Sequence, residues 1–396
     1  MEKIIFHIDV NNAFLSWTAI DLLNKGYKED IRNIVSVIGG DEKTRNGIVL
    51  SKSTPAKKYG IKTAETLYSA RKKYKDVKVF PADHKYYSIM SKKLFKLLSN
   101  YSPDIEVASI DECYLDYGKI KNLYGDELKF AYMLKDKIRS DLGFTVNIGI
   151  ANNKLCAKMA SDFEKPDKVH TLYTSEIKDK MWPLPIEDLF GIGRSSAQRL
   201  KEMGINTIGE LANININKIE KIFKNQSKHV IEIANGIDDS ELELFWEAKG
   251  ISNEITLPKD ERNIEVLNEK LLMLSEMVSK RLRKEGKYAN TICVILKDNN
   301  FIRKSHQRSL KNPTNITNEI YITSKEILRE FYKGEGIRLI GLRLDNLSIK
   351  ENYQINLFEN IEEKNKDEKI DRIIDEINDK LGNNTITKAS LKNSKK

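Results

Sequence analysis

The sequence predicts an α+β multi-domain chain, and three observations carry that prediction. Residues 3–165 alternate apolar strands with amphipathic helices, residues 185–236 are purely helical with Gly-containing turns, and residues 251–348 read as one βαββαβ module. At roughly 100–200 residues per domain, the length implies two to four domains. Hydrophobic residues at 40% and charged residues at 32% exclude a disordered, collagen-like or membrane-embedded chain. No stretch approaches the roughly 18 apolar residues of a membrane span. The apolar run in MEKIIFHIDV is too short and too broken by His and Asp for a signal peptide. Cys113, Cys156 and Cys293 are scattered, without a CxxC or Cys/His ligand spacing, so neither a disulfide framework nor a zinc site is expected. The reading is a soluble, cytoplasmic, monomeric protein.

Taken in order, KIIFHIDV is a buried strand, followed by a helix over about 12–25. Residues 34–53 form a strand pair around GGDEKTRNG, then come helices near 54–59 and 65–73, the strand VKVFPA, and a helix over 84–100. IEVASI and CYLDYG face each other across Asp111-Glu112 as a hairpin. A helix over 125–142, the strand FTVNIGIA and the helix NNKLCAKMASDFE close this part, a mixed sheet with helices on one face. Residues 237–250 are an acidic, aromatic connector, and the segment past Lys350 is polar and flexible. Within it, Ile370, Ile373, Ile374, Ile377 and Leu381 repeat at helical spacing.

The net charge of +9 and a pI near 9.0 point to an acidic partner. Residues 280–311 are the densest patch, ten Lys/Arg against two Asp/Glu on apparent strands and a helix end. This is either a solvated face or a track for a phosphate backbone; the density favours nucleic acid, with Lys304 and Arg308 as contacts.

Asp9 stands where the first strand hands over to a helix, and Asp111 and Glu112 stand together between two apolar strands. Strand neighbours point to opposite faces, so the adjacent pair converges only if the chain turns there. Like charges in an apolar hairpin are costly without a cation. Three convergent carboxylates suit Mg²⁺, and two such ions can bridge a nucleotide's phosphates and activate an attacking hydroxyl. On spacing alone, a solvent-facing turn and a helix cap are equally admissible, and Asp116 reads as structural.

The segments HIDVNNAF, ASIDECYLD, NIGIANNKLCAKMASDFEKP and DLFGIGRSSAQRLKEMGI, in this order, resemble the Y-family DNA polymerases of the bacterial polymerase IV or UmuC-like type. The resemblance spans about residues 1–350. It implies a right hand: palm (1–11 and 78–172, mixed sheet plus helices), small fingers (12–77), a helical thumb with a helix–hairpin–helix (173–238), a linker (239–250), a βαββαβ little finger (251–350) and a tail (351–396). It implies a DNA-directed DNA polymerase, a nucleotidyltransferase of DNA repair and damage tolerance. Such a translesion enzyme adds dNTPs to a primer with low processivity and low fidelity, as a mutator. Asp9, Asp111, Glu112 and the Val10 carbonyl would hold two Mg²⁺ ions. A catalytically silent DNA- and clamp-binding protein on the same scaffold is the alternative, and a two-metal nuclease a second rival. The complete carboxylate set argues against the first, and the nucleotide-directed positions below against the second.

The same resemblance assigns further residues. Lys165, alone a surface lysine, would reach the incoming triphosphate; Asp167-Lys168 replace the family's Asn-Gly after Pro166. Thr54 and Lys57 stand where the family has a Tyr and an Arg on the triphosphate, so the planar two-pronged grip is lost and the nucleotide grip changes. Phe14, by itself a core aromatic, would be the steric gate beneath the sugar C2′. Gly191 and Gly193 would shape the hairpin that offers backbone N–H groups to the duplex backbone. Gln354, Leu357 and Phe358 in YQINLFEN resemble the bacterial sliding-clamp motif Q-x-x-L-F. The implied partners are primer-template DNA, dNTP and the sliding clamp.

Overall fold

Strand β1 (Ile5–Val10, IFHIDV) is buried along its whole length, which calls for packed layers on both of its faces. In the computed structural model it is the centre of a five-stranded sheet ordered β5-β6-β1-β7-β8. The model describes residues 3–41, 45, 47–245, 247–349, 361–382 and 385–386, with 361–365 as backbone only. The chain divides into two units, residues 1–40 with 47–246 and residues 41–46 with 247–396.

In the first unit, α1 (Ala13–Asn24) follows β1 directly. β2 (Ser36–Gly39) and β3 (Val49–Lys52) pair antiparallel, and β4 (Lys78–Phe80) pairs parallel to β2, giving the three-stranded fingers sheet β3-β2-β4. Two short helices complete the fingers, α2 (Thr54–Lys58) capped by Ser53 and α3 (Leu67–Lys73) capped by Thr66. The palm continues with α4 (His84–Leu98), the hairpin β5 (Ile105–Val107) and β6 (Glu112–Asp116), α5 (Lys121–Tyr124), α6 (Glu127–Leu142), β7 (Val146–Ala151), α7 (Lys154–Asp162) and β8 (Val169–Leu172). The edge strand β8, parallel to β7, is one the sequence pattern did not reveal.

The palm also departs from the expectation of helices on one face. Phe6, Ile8 and Val10 pack with Cys113, Leu115, Val146, Ile148 and Ile150 against α4 and α6. The alternate residues Ile5, His7 and Asp9 point to the other face, which α7 covers. Gly149 makes that possible, since a Cβ there would lie 2.0 Å from the Ala157 carbonyl oxygen and 2.5 Å from the Ser161 nitrogen. The core beneath α7 runs on into the thumb, α8 (Arg194–Glu202), α9 (Ile208–Ala212), α10 (Glu220–Phe223) and α11 (Ser227–Ala234), through Ile186, Leu189, Ile192 and Leu200.

The second unit contains β9 (Gly250–Glu261), α12 (Ile264–Lys284), β10 (Tyr288–Asp298), β11 (Arg303–Thr314), α13 (Thr317–Phe331) and β12 (Ile337–Ser348). These form an antiparallel sheet β11-β10-β12-β9 with both helices on one face. Leu267, Leu271, Leu274, Val278 and Leu282 make the apolar stripe of α12 and meet Ile292, Val294, Leu342 and Leu344. The segment expected to be a flexible tail contains α14 (Ile361–Leu381). It rests on this unit by its acidic face. Asp371 accepts from the Thr317 N–H at 2.7 Å, and Arg283 donates to Asp371 and Asp375 at 3.2 and 2.7 Å. The open N–H groups of α13 and the cations closing α12 draw in carboxylates, whereas Ile370, Ile373 and Leu381 of the apolar stripe remain exposed. Among the described residues no helix is long and apolar enough to cross a membrane, and all three cysteines are buried and unpaired.

Candidate active site

Antiparallel register makes Asp9 and Glu112 direct cross-strand partners on the α7 face of the palm. Asp111 ends the turn before β6, its carbonyl accepting from the Val10 N–H at 3.1 Å. Ser109 organises that turn. Its hydroxyl donates to Asp111 Oδ1 at 2.7 Å and accepts from the Asp111 and Glu112 N–H groups. Asp9, Val10, Asp111 and Glu112 line a single cleft of about 320 Å³, together with Phe14, Leu50, Ser51, Thr63, Lys158, Asp162 and Lys165.

Two lysines neutralise the carboxylates. The Lys165 amine bridges Asp9 and Asp162, and Lys158 donates to Glu112 at 2.8 Å. On the other side of Glu112, the Nε2 edge of fully buried His7 lies 3.6 Å away. Burial raises Asp9 above its ordinary carboxylate value despite Lys165. Glu112 moves the opposite way, held down to about 2 by the adjacent His7 ring and by Lys158 against the effect of burial. Among the described residues, no three His, Cys, Asp or Glu side chains close into a ready metal cage. The carboxylates share a cleft wall without meeting at a point. Their chemistry nonetheless fits a hard cation: the donors are all oxygen, and buried Asp9 needs positive charge.

The Lys165 loop is held by a pair of buried amides. Asn11 donates to Asn147 Oδ1 at 3.0 Å and accepts from the Asp167 N–H at 2.8 Å, while Asn147 donates to the Ser161 and Glu164 carbonyls. Asp167, standing where the family has Asn, adopts a positive φ of 64° and pairs with Lys135 and Arg139 on α6. The turn therefore forms without the family's dipeptide, since Asp tolerates the left-handed region.

Phe14 is half-buried, one face stacked on Tyr87 at 4.7 Å and an edge against His84. From the fingers sheet and its loops, the described residues on the cleft are Leu50, Ser51 and Thr63. Thr54 and Lys57 are not among the residues lining it. Thr54 borders an adjoining cavity of about 370 Å³ with Asn11, Asn12, Arg32, Asn33 and Thr145. Lys57 is exposed on α2, close enough to Lys52 to reinforce the lowering that burial imposes on that amine. In the thumb, Gly191 has φ +96°, a conformation that favours glycine. Gly193 has no such conformational need. It caps α8 with an ordinary φ of −77°, and a Cβ there would meet nothing. What its small size leaves is an uncovered helix N-terminus.

The basic stretch is divided by strand alternation. Lys304 and Arg308 pair in register with Leu296 and Ile292 and so point to the helix-covered face. There Arg308 is gripped by Glu326 and Glu330 of α13, and Lys304 lies 3.4 Å from Glu335. Both side chains are thus paired with carboxylates of the same unit. The helix-free face carries Arg303, beside Ser305 and Gln307, and Arg343. Gln354, Leu357 and Phe358 lie outside the described residues. Sequence reasoning missed Lys158, Asp162, His7 and the Asn11–Asn147 pair. Only the first two had a readable signal, an i, i+4 charge pair in line with Lys165.

Known proteins match this arrangement closely. The impB/mucB/samB family model matches residues 8–162, its C-terminal-domain model residues 248–357, and the IMS family HHH motif residues 174–205. DNA polymerase IV of Clostridium acetobutylicum is 46% identical over 99% of this chain and 98% of its own length. The chain belongs to the Y-family of DNA polymerases. DNA polymerase IV of Clostridium kluyveri is 35% identical over 99% of the chain and 98% of its own length. Among solved structures, a Y-family Dbh–Dpo4–Dbh chimera superimposes with a TM-score of 0.77 at 26% identity, covering 88% of this chain and 100% of its own. An insertion ternary complex of Dbh DNA polymerase superimposes with a TM-score of 0.61 over 88% of this chain and 100% of its own. The chain is a right-hand, DNA-directed DNA polymerase. The palm described above carries the carboxylates, and the helix–hairpin–helix and the four-stranded sheet unit are the thumb and little finger of this Y-family fold.

Proposed function

We propose that this polymerase performs translesion synthesis, extending a primer by two-metal nucleotidyl transfer with low processivity and low fidelity. The observation that carries the reading is the cross-strand pairing of Asp9 and Glu112, with Asp111 beside them, on a cleft wall that faces Phe14. Asp9, Asp111, Glu112 and the Val10 carbonyl would hold two Mg²⁺ ions. When bound, these would acidify the primer hydroxyl and offset the charge gathered on the phosphates.

The chain's own residues do the positioning. The first N–H groups of α1 carry no side-chain cap, its first turn holds no acidic residue, and it opens beside the cleft, where a triphosphate is favoured once cations offset the carboxylates. Lys165 stands on the cleft wall within reach of the same phosphates, and Phe14 underlies the sugar. Among the described residues, the fingers sheet and its loops bring Leu50, Ser51 and Thr63 to the cleft, a sparse wall that leaves space around a distorted base pair and so supports lesion tolerance. Extension of a primer past an abasic site, with Glu112→Gln as the inactive control, tests this; a parent enzyme that stalls at the lesion while copying undamaged template refutes the translesion role.

Phe14→Ala should raise ribonucleotide incorporation, because the ring backed by Tyr87 can no longer crowd C2′. The measurement is the ratio of rCTP to dCTP incorporation opposite dG. An unchanged ratio places the gate elsewhere.

For DNA binding, the helix-free sheet face with Arg303 and Arg343 is the expected track. Their ion pairs with Glu254 and Asp345 are surface pairs, readily exchanged for phosphates. The double change to Gln should lower the slope of log K against log salt by about one unit per lost phosphate contact. Changing Lys304 and Arg308 to Gln should instead lower the melting temperature and leave the slope nearly unaltered.

A further inference from the structure

Two residues before Asp9 on β1, His7 is fully buried, and the carboxylate it faces among the described residues, Glu112, belongs to the proposed metal site. Its ring is fixed on three sides. Nδ1 lies 2.8 Å from Ser161 Oγ on α7, the Tyr114 ring packs against it at 4.7 Å between centroids, and the backbone of Gly149 is its neighbour on β7. Nε2 has no hydrogen-bond partner, yet it is directed at Glu112 Oε2, 3.6 Å away. A buried nitrogen left unbonded costs stability unless it serves something, and a bare lone pair against a carboxylate would be repelled.

We propose that His7 is a positioning residue for Glu112, an imidazole whose Nε2–H faces the carboxylate and steadies it for a divalent cation. Ser161 accommodates this tautomer. Its hydroxyl lies 2.8 Å from the Lys158 carbonyl, to which it can donate, and 2.8 Å from His7 Nδ1, which accepts or donates according to the tautomer. When its proton turns to Nδ1, the ring's own proton stands on Nε2, facing Glu112. The resulting chain of Ser161, His7 and Glu112 is an outer shell of the kind that orients metal-binding carboxylates. A separation of 3.6 Å is long for a hydrogen bond, as contacts in an active site without substrate often are. Lys158 satisfies the other Glu112 oxygen, so the carboxylate is held at both ends before any cation arrives.

The inference rests on the metal reading of Glu112, and the experiment separates the two. Mn²⁺ is titrated into the full chain bound to a dideoxy-terminated primer–template and the next dNTP, with bound ion read by electron paramagnetic resonance. Glu112→Gln should lose the ion; if it binds Mn²⁺ like the parent, the metal reading itself fails. His7→Phe should weaken Mn²⁺ by roughly 10–100-fold, the usual cost of removing an outer-shell partner. His7→Gln, which keeps a donor, should recover part of that loss. Loss of the ion in Glu112→Gln with parental affinity in His7→Phe overturns the role of His7 alone. Should His7→Phe fail to fold, two further readouts decide. Nitrogen-15 imidazole shifts of the parent should show the Nε2–H tautomer at His7, and a proton on Nδ1 with a bare Nε2 refutes the proposal. Ser161→Ala, which keeps the ring and removes its Nδ1 partner, should also weaken Mn²⁺, and parental affinity there counts against the proposal equally.

Discussion

Asp9→Asn and Glu112→Gln are each expected to reduce primer extension by roughly a thousand-fold or more, since several kcal/mol of transition-state charge stabilisation depend on the ions those carboxylates hold. Their effects on stability should differ in sign. Burial raises Asp9 above its ordinary value, so its charged form is a burden on the metal-free fold at neutral pH, and Asp9→Asn should melt no lower than the parent. Glu112 is held down to about 2 by His7 and Lys158. A depressed carboxylate contributes stability that is present above its unfolded value and lost as pH falls toward 2. Glu112→Gln should therefore melt lower at pH 7, with the difference from the parent shrinking on acidification. Duplex binding should persist in both variants, because the thumb and the little-finger sheet are untouched. The measurements are single-nucleotide extension, thermal melts between pH 3 and pH 7, and fluorescence anisotropy on primer–template. Full extension by either variant would falsify the catalytic assignment. Equal melting shifts in the two would contradict the opposite electrostatics assigned to them.

The second large effect concerns the sliding clamp. We expect Leu357→Ala with Phe358→Ala to leave distributive extension intact and to reduce clamp-dependent stimulation by about a hundred-fold. A short docking peptide concentrates its binding in a few apolar anchors. Tethering raises effective concentration enough to multiply apparent affinity by roughly 10²–10⁴. The changed residues follow the last strand of the little finger, β12, which ends at Ser348, so its core does not depend on them. A double variant that still binds the clamp with parental affinity would defeat the motif, and the exposed Ile370, Ile373 and Leu381 stripe of α14 would become the surface to test next.

The order of elements was legible from residue pattern because strands and helices here are dictated by local periodicity. Residues 3–10 read as a buried strand, 264–285 as an amphipathic helix, and the final module as βαββαβ, each within a few residues of the structure. The carboxylates stood out as acidic residues at a strand end and a hairpin turn in apolar surroundings, but spacing alone left a surface turn and a helix cap open, and only the resemblance implied a shared role. Other features depended on register and packing between distant segments. The α7 face of the palm exists because Gly149 lets a helix backbone approach the sheet, and that approach brings Lys158 and Ser161 to Glu112 and His7. Strand alternation turned Arg308 toward the glutamates of α13 and Lys304 toward Glu335 beyond it, and left Arg303 on the open face. Thr54 faced an adjoining cavity, and α14 docked through Asp371 because α13 and Arg283 offered it an uncapped helix end and a cation. Period and composition determine what each segment becomes. Which side chains meet is decided by contacts between residues far apart in the chain, and such contacts leave no periodic trace in the sequence.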